Sequence, residues 1–430
     1  MSWNVVLNKF VEIKNKALET GKDIWAYDST DQACLKYWVS LLEDGEYKAK
    51  HEQLIHFLEL NEYGDFLLVR YANYTDVFSG GDESMTMDDF WNMEDGFFRE
   101  CRSVVINIRK DELVLAPFRK FRNLNESKET SYENIAARIR EASCVEFSNK
   151  LDGSMQYARL YNGQVVMAGS QSLNAENSWR LADGYRMLDE KEGYKKMMMD
   201  HQNQTFIFEY ISQKDAHVVK YEMEGLFLIG IRDVETGKEA SYSEVIHYAA
   251  EYDIPATEVF DKTLDQVIGE LDLKKSSEAE GFVLNIDGFK VKIKYNDYVY
   301  MHKVLSELSS INLIIQNIAE DRFDDFIAKI PNAYRERVMK VARIVYDYKS
   351  KTETEVEAAF ATAPKTNRKE FMIWVTENID RKIQGFVRCR YLSGKGSFNV
   401  LKRNGIGYLK LKDMGTESYA EVFDDDGDEA

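Results

Sequence analysis

The stretch from Glu146 to Met155, "EFSNKLDGSM", decides how this chain is read. Val145 and Phe147 alternate with Glu146 and Ser148, the period of a half-buried strand. The run stops at Asp152-Gly153, a turn signal. Lys150 therefore stands at a strand's end just before a turn, where a side chain is held firmly and still presented to a ligand. Taken alone, Lys-x-Asp-Gly is weak: average residue usage places one by chance in roughly one chain of this length in ten. A solvated lysine beside a β-turn would explain it as well.

Its company, in order and on strands, changes the odds. "TFIFEYI" sets Glu209 among apolar neighbours, where an unpaired carboxylate would be costly. "EAEGFVLNI" puts Glu280 at a strand start, and "FKVKIKY" puts Lys290, Lys292 and Lys294 on one face of a strand, because side chains alternate with period two. Three lysines on one face repel one another unless something anionic sits there; a solvated edge strand is the plainer alternative.

The 430 residues exceed one typical core, so two or three domains are expected. Hydrophobic residues at 44%, aromatics at 13% and only four prolines describe an ordered globular protein. Cys34, Cys101, Cys144 and Cys389 lack metal or disulfide spacing and fit a reducing cytoplasm. No apolar stretch approaches the roughly 18 residues of a membrane span, so no membrane partner is expected. The net charge of −18 argues against a nucleic-acid partner, because phosphate binding needs cationic surface. Distribution weakens that veto. "APFRKFRN" (116–123), "FKVKIKY" (289–295) and the stretch from Arg381 to Lys412 concentrate positive charge, while "EVFDDDGDEA" holds much of the negative.

Residues 1–100 mix helical periodicity, as in "NVVLNKFVEIKNKALE" and "EQLIHFLEL", with the loop "FSGGDES". From 101 to 303 the reading turns to strands with short helices between them, including "SYSEVIHYAAEY", where Ser241 and Glu244 have capping-box spacing. "GFVLNIDGFKVKIKY" reads as a hairpin turning at Asp287-Gly288. From 304 to 430 the pattern is mainly helical. That mixture is α+β, not a doubly wound parallel sheet.

The order Lys150-Leu-Asp-Gly-Ser154, Gly169-Ser-Gln-Ser172, Phe208-Glu-Tyr210, Glu280-Gly-Phe-Val283 and Lys292-Ile-Lys294 resembles the motif set of the covalent nucleotidyltransferases. These are the ATP-dependent DNA and RNA ligases and the mRNA capping enzymes. "ECRSVVIN", "FRKFRNLNE", "FEYISQKDAHVVKY" and "KIKYNDYVYMHK" are similar to the bacteriophage RNA ligase 1 branch. The resemblance is strong over 100–303, weak before and nearly absent after.

It implies a nucleotidyltransferase domain, ATP-grasp-like, of antiparallel sheets with flanking helices over 1–303 (an N-terminal extension to 100, then the motif-bearing core). A mainly helical C-terminal domain follows, contributing to RNA choice, with an acidic mobile tail. It makes Lys150 the nucleophile that takes AMP from ATP and Lys292 and Lys294 its catalytic partners on the phosphates. Glu280 becomes the carboxylate nearest a magnesium ion, with manganese as substitute, and Glu209 a ribose or orienting contact. Arg102 and Lys120 would contact phosphates of the nucleotide or the RNA 5′ end, and Asp152 and Gly153 belong to the nucleotide site. His217 is a weaker phosphate candidate, with a structural histidine equally open. Chemistry agrees on Lys150: an amine attacks phosphorus only when neutral, and cations nearby favour that form.

Two positions depart from the family. "AGSQS" has Ser170 and Gln171 where a cation is common, so hydrogen bonds replace charge, and Arg122 stands where an aromatic is common. The expected activity is sealing of 5′-phosphate to 3′-hydroxyl RNA ends, nicked tRNA being one candidate substrate, by a cytoplasmic monomer in a bacterium or a phage-infected cell. A DNA ligase or capping enzyme shares the first step but normally appends an OB-fold, and a non-catalytic RNA-binding relative would lack the lysines. The aromatic and basic residues of 381–412 suit RNA, although a small β-rich subdomain is equally compatible with them.

Overall fold

A computed structural model of the chain describes residues 2–72, 87–215, 217–219, 221–275, 277–299, 311–328, 332–393, 399–403, 407–410 and 414. The loop "FSGGDES", the boundary near 303 and the acidic tail lie outside the described residues. Two compact units divide the chain, residues 1–299 and 300–430.

The first unit is a mixed α+β body of three sheets, mainly antiparallel. Strands β1 (Leu58–Tyr63), β2 (Phe66–Tyr71), β3 (Arg102–Asn107) and β4 (Glu112–Leu115) form one sheet in sequence order. Helices Val5–Glu19, Cys34–Leu41 and Gly45–His56 pack near it through Phe10, Ile13, Trp38 and Leu54. "EQLIHFLEL" reads as helical, but its helix ends at His56 and Leu58 opens β1. Pairing with the apolar "FLLVRY" of β2 overrides helical periodicity there.

β5 (Arg122–Asn123), β6 (Val145–Lys150), β11 (Val259–Phe260), β12 (Gly281–Ile286) and β13 (Phe289–Lys294) make a second sheet, in the order β11-β6-β12-β13-β5. β7 (Ser154–Tyr161), β8 (Gln164–Gly169), β9 (Gln204–Ile211) and β10 (Gly225–Asp233) make the third, ordered β10-β9-β7-β8. The stretch Glu146–Met155 links the two: β6 ends at Lys150 and β7 begins at Ser154. The β12–β13 hairpin turns on Asp287 and Gly288, both at positive φ (47° and 91°), as a two-residue turn with Ile286 opposite Phe289 requires. Ser241 and Glu244 form the expected capping box.

Period-two alternation in β9 sorts the third sheet's faces. Phe206, Phe208 and Tyr210 enter a core with Leu181, Leu188, Met197 and Val245 from the helices around it. Ile207 points the other way, into a core shared with Val105 and Leu115. Glu209 shares that second face, and at the strand's end the core gives way to a cavity.

The second unit is mainly helical. Ile311–Ala319, Phe323–Ala328, Asn332–Thr362, Arg368–Asn378 and Arg381–Ser393 account for most of its described residues. Residues 381–393 are thus a helix, with Lys402–Arg403 and Gly407–Tyr408 paired as a short ladder. Phe398 lies outside the described residues. No described helix is long and apolar enough to cross a membrane.

Candidate active site

The register of the second sheet assembles the site. Gly281 pairs with Lys150 on one side and with Lys294 on the other, so two lysines 144 positions apart flank one glycine. One step along the same face, Val283 separates Ser148 from Lys292. Gly281 sits at φ +149°, and a Cβ there would come 2.1 Å from the Ile293 carbonyl oxygen. A side chain at 281 would push the lysine strands apart.

Glu280 fills the gap between the lysines. Its carboxylate lies 2.6 Å from Lys150 Nζ and 2.9 Å from Lys294 Nζ, with only 3% of its side chain exposed. Burial opposes ionisation, but the two ammonium groups prevail and hold Glu280 below the usual carboxylate range. The expected repulsion along β13 is therefore answered by acids: Glu280 serves Lys294, and Lys290 is buried in an ion pair with Glu239.

Lys292 is left in a different setting. Its ammonium sits 4.8 Å above the centre of the Phe121 ring. Burial first, then the charges of Arg102, Lys120, Lys150 and Lys294, push its pKa well below the ordinary lysine value. Lys292 lines a cavity of about 370 Å³ with Lys150, Gly153, Ser170, Glu209 and Arg102. That volume lies in the range of small-molecule sites.

Glu209 closes one wall. Its carboxylate accepts the Gly153 N–H at 2.9 Å. Burial raises its pKa to about 7 despite the opposing charge of Lys150. Gly153 is forced by space, since a Cβ would lie 2.4 Å from the Tyr210 carbonyl oxygen. Arg102 reaches over the opposite face of the site, its guanidinium 5.1 Å from the Phe121 ring centre. Lys120 stands beside it against Tyr71, with Nζ 3.3 Å from the phenol oxygen and near the Trp91 ring. At Ser170 the carbonyl accepts the Ser103 hydroxyl at 2.6 Å, while Gln171 also faces the cavity.

Asp152 points away from the cavity and anchors the loop. One carboxylate oxygen accepts the Tyr298 hydroxyl at 2.9 Å, the other accepts the Val219 N–H at 2.9 Å. Its own N–H donates to the Tyr221 hydroxyl at 2.9 Å. Behind the loop, Asp215 accepts the Ser154 hydroxyl at 2.6 Å and pairs with Arg180 at 2.7 Å. His217 joins this group, 3.1 Å from Asp215, which raises its pKa. His217 thus faces two carboxylates, Asp215 and Asp152, across the loop from the nucleotide-sized cavity.

Sequence reasoning missed Tyr298, Tyr221 and Asp215. Tyrosines in a tyrosine-rich chain carry no local signal, and each pairs with Asp152 or its neighbour across more than 60 residues. Among the described residues no group of three or more acidic, histidine or cysteine side chains gathers for a metal. Glu209 lines the cavity and Glu280 lies behind Lys150, two carboxylates of the oxygen-donor type a hard cation takes, along with phosphates and water.

Residues 100–307 match a family model described as RNA ligase. The match covers the ordered motifs and the Lys150–Glu280–Lys294 cluster. Residues 100–307 are thus similar to the RNA ligases of the bacteriophage RNA ligase 1 type. A presumed RNA ligase of Thermovibrio ammonificans is 27% identical to this chain over 265 residues, 58% of the chain and 66% of the relative. A Naegleria gruberi RNA ligase variant solved with ATP and Mn is 20% identical, covering 40% of this chain and 56% of that one at TM-score 0.33. The same ligase with pyrophosphate gives 20%, 39%, 55% and 0.33. The chain thus matches just under two thirds of its curated relative's length and just over half of the solved ligase's.

Proposed function

We propose that the protein is an ATP-dependent RNA ligase working through a lysyl-AMP intermediate. The observation that carries this reading is Lys150 at the mouth of a nucleotide-sized cavity, held between Glu280 and a row of cations. In the first step the neutral Lys150 amine attacks the α-phosphorus of ATP; the N–P bond forms, the bond to pyrophosphate breaks, and the amine's proton is released. Because the Glu280 carboxylate lies 2.6 Å from Lys150 Nζ, parting that ion pair belongs to activation. Lys294, Lys292 and Arg102 oppose the charge that develops on the phosphates. Glu209, half-ionised near neutrality, accepts a ribose hydroxyl, and Ser170 and Gln171 add uncharged contacts.

A 5′-phosphate oxygen of RNA then displaces Lys150 from phosphorus, and a 3′-hydroxyl displaces AMP to close the phosphodiester. A magnesium ion, when bound at Glu280 and the nucleotide phosphates, supplies charge neutralisation at phosphorus. The Asp152 anchors keep the loop, and with it Lys150, from drifting as charges change. We assign 1–303 to adenylyl transfer and the helical 304–430 region to choice of RNA, nicked tRNA being the first substrate to try, in a monomeric cytoplasmic enzyme.

The test is incubation with α-labelled ATP and magnesium followed by denaturing electrophoresis, then sealing of 5′-phosphorylated RNA against the equivalent DNA. Retained label lost in Lys150→Ala, with RNA preferred, supports the reading. Failure to retain label defeats the covalent mechanism, and a DNA preference assigns the protein to the other ligase branch.

A further inference from the structure

We infer that the groove on the other side of Phe121 is a second anion site, and that it holds backbone phosphates of the RNA strand whose end is joined. This rests on the RNA ligase reading. The groove continues the active-site sheet: beyond the row Ser148–Val283–Lys292 comes the row Glu146–Asn285–Lys290 on the same face. Asn285 and Lys290 line a cavity of about 780 Å³, and Phe121 borders both cavities. The groove has about twice the volume of the nucleotide cavity, room for a strand where a single phosphate would rattle.

Its charge is opposite to that of the chain. Seven cationic and four acidic side chains line it, in a protein of net charge −18. The acids are already engaged. Glu239 pairs with Lys290, Glu129 with Arg99 at 3.0 Å, and Asp287 accepts the N–H groups of Ser143 and Cys144. Glu244 is occupied in the capping box of Ser241. Water-facing cations remain: Lys238 is exposed, and Arg119 is half-exposed with Glu100 no closer than 3.7 Å. Lys120 connects them to the nucleotide cavity, since it borders the groove while its charge acts on Lys292. Phe289 of the groove lining packs against the Arg138 guanidinium, 4.3 Å from its ring centre, an aromatic–cation pair of the kind unpaired bases stack against. Ordered cations along an open groove bind a polyphosphate backbone without reading sequence.

The experiment compares the full chain with Arg119→Ala/Lys238→Ala and with the charge-keeping Arg119→Lys/Lys238→Arg. Binding of a 5′-phosphorylated single-stranded oligoribonucleotide is titrated across salt, and label uptake from ATP is followed in parallel. Two lost phosphate contacts should lower the slope of log affinity against log salt by about 1.4, and weaken binding about tenfold at low salt. The charge-keeping variant should restore the slope, with ATP labelling within about twofold throughout. An unchanged slope with normal labelling overturns the groove alone. So does an effect confined to pyrophosphate-driven loss of label, which would make the groove a leaving-group site. Absence of labelling in the parent chain defeats the ligase reading, while a fall in slope there still upholds the groove as an RNA site.

Discussion

Glu280→Gln tests the electrostatics of the site most severely. The substitution keeps shape but removes the carboxylate that lies 2.6 Å from Lys150 and 2.9 Å from Lys294. Breaking a buried ion pair by deleting one partner costs about 3–5 kcal/mol. Here the lower end applies, about 3 kcal/mol, because the two lysine side chains keep 19% and 23% of their surface in water. The sign follows from Glu280's lowered pKa: its stabilisation is present above the unfolded carboxylate value and is lost as pH falls through the folded one. The variant's deficit should accordingly be full near pH 7. It should shrink as pH falls through the folded Glu280 value, where the parent loses the same charge. Five of the six tryptophans lie in residues 1–299, so fluorescence during denaturant unfolding reports on this unit. A deficit below about 0.5 kcal/mol at pH 7, or one that does not shrink on acidification, would refute the reasoning.

Lys292→Met should abolish adenylylation yet raise stability by about 1–2 kcal/mol, since it removes a crowded, half-buried ammonium; thermal melting checks it. Glu209, raised to about 7, takes up a proton on folding, so stability should fall as pH rises from about 4.5 to 7. Glu209→Gln should flatten that slope in pH-resolved melts. Tyr298→Phe deletes the hydroxyl held by Asp152 and should cost about 1–2 kcal/mol in denaturant unfolding and about tenfold in the rate of labelling, with ATP affinity little changed. Gly281→Ala should cost about 3 kcal/mol or more, because its Cβ meets backbone in the strand that carries the lysines.

Legibility from sequence followed the range of each interaction. The β12–β13 hairpin and the Ser241 cap were readable because their signals lie within four residues, and alternation in "TFIFEYI" already set Glu209 apart from its apolar neighbours. Lys150, Lys294 and Glu280 were readable as an ordered set, but their meeting on either side of Gly281 depends on a three-strand register that no local pattern encodes. The clamp on Asp152 was invisible for the same reason: Tyr298 lies 146 residues away. Sheet pairing also overrode local helical periodicity at Leu58, and the basic segment 381–393 proved helical although its composition suited a β-rich module equally.

The central claim is a covalent bond between Lys150 and AMP. Peptide mass spectrometry after incubation with ATP and magnesium tests it directly. The account predicts an AMP adduct on the peptide that carries residues 146–155, released by pyrophosphate and absent from Lys150→Ala. An adduct on a different lysine, or no adduct on a folded chain that still binds ATP, would contradict it.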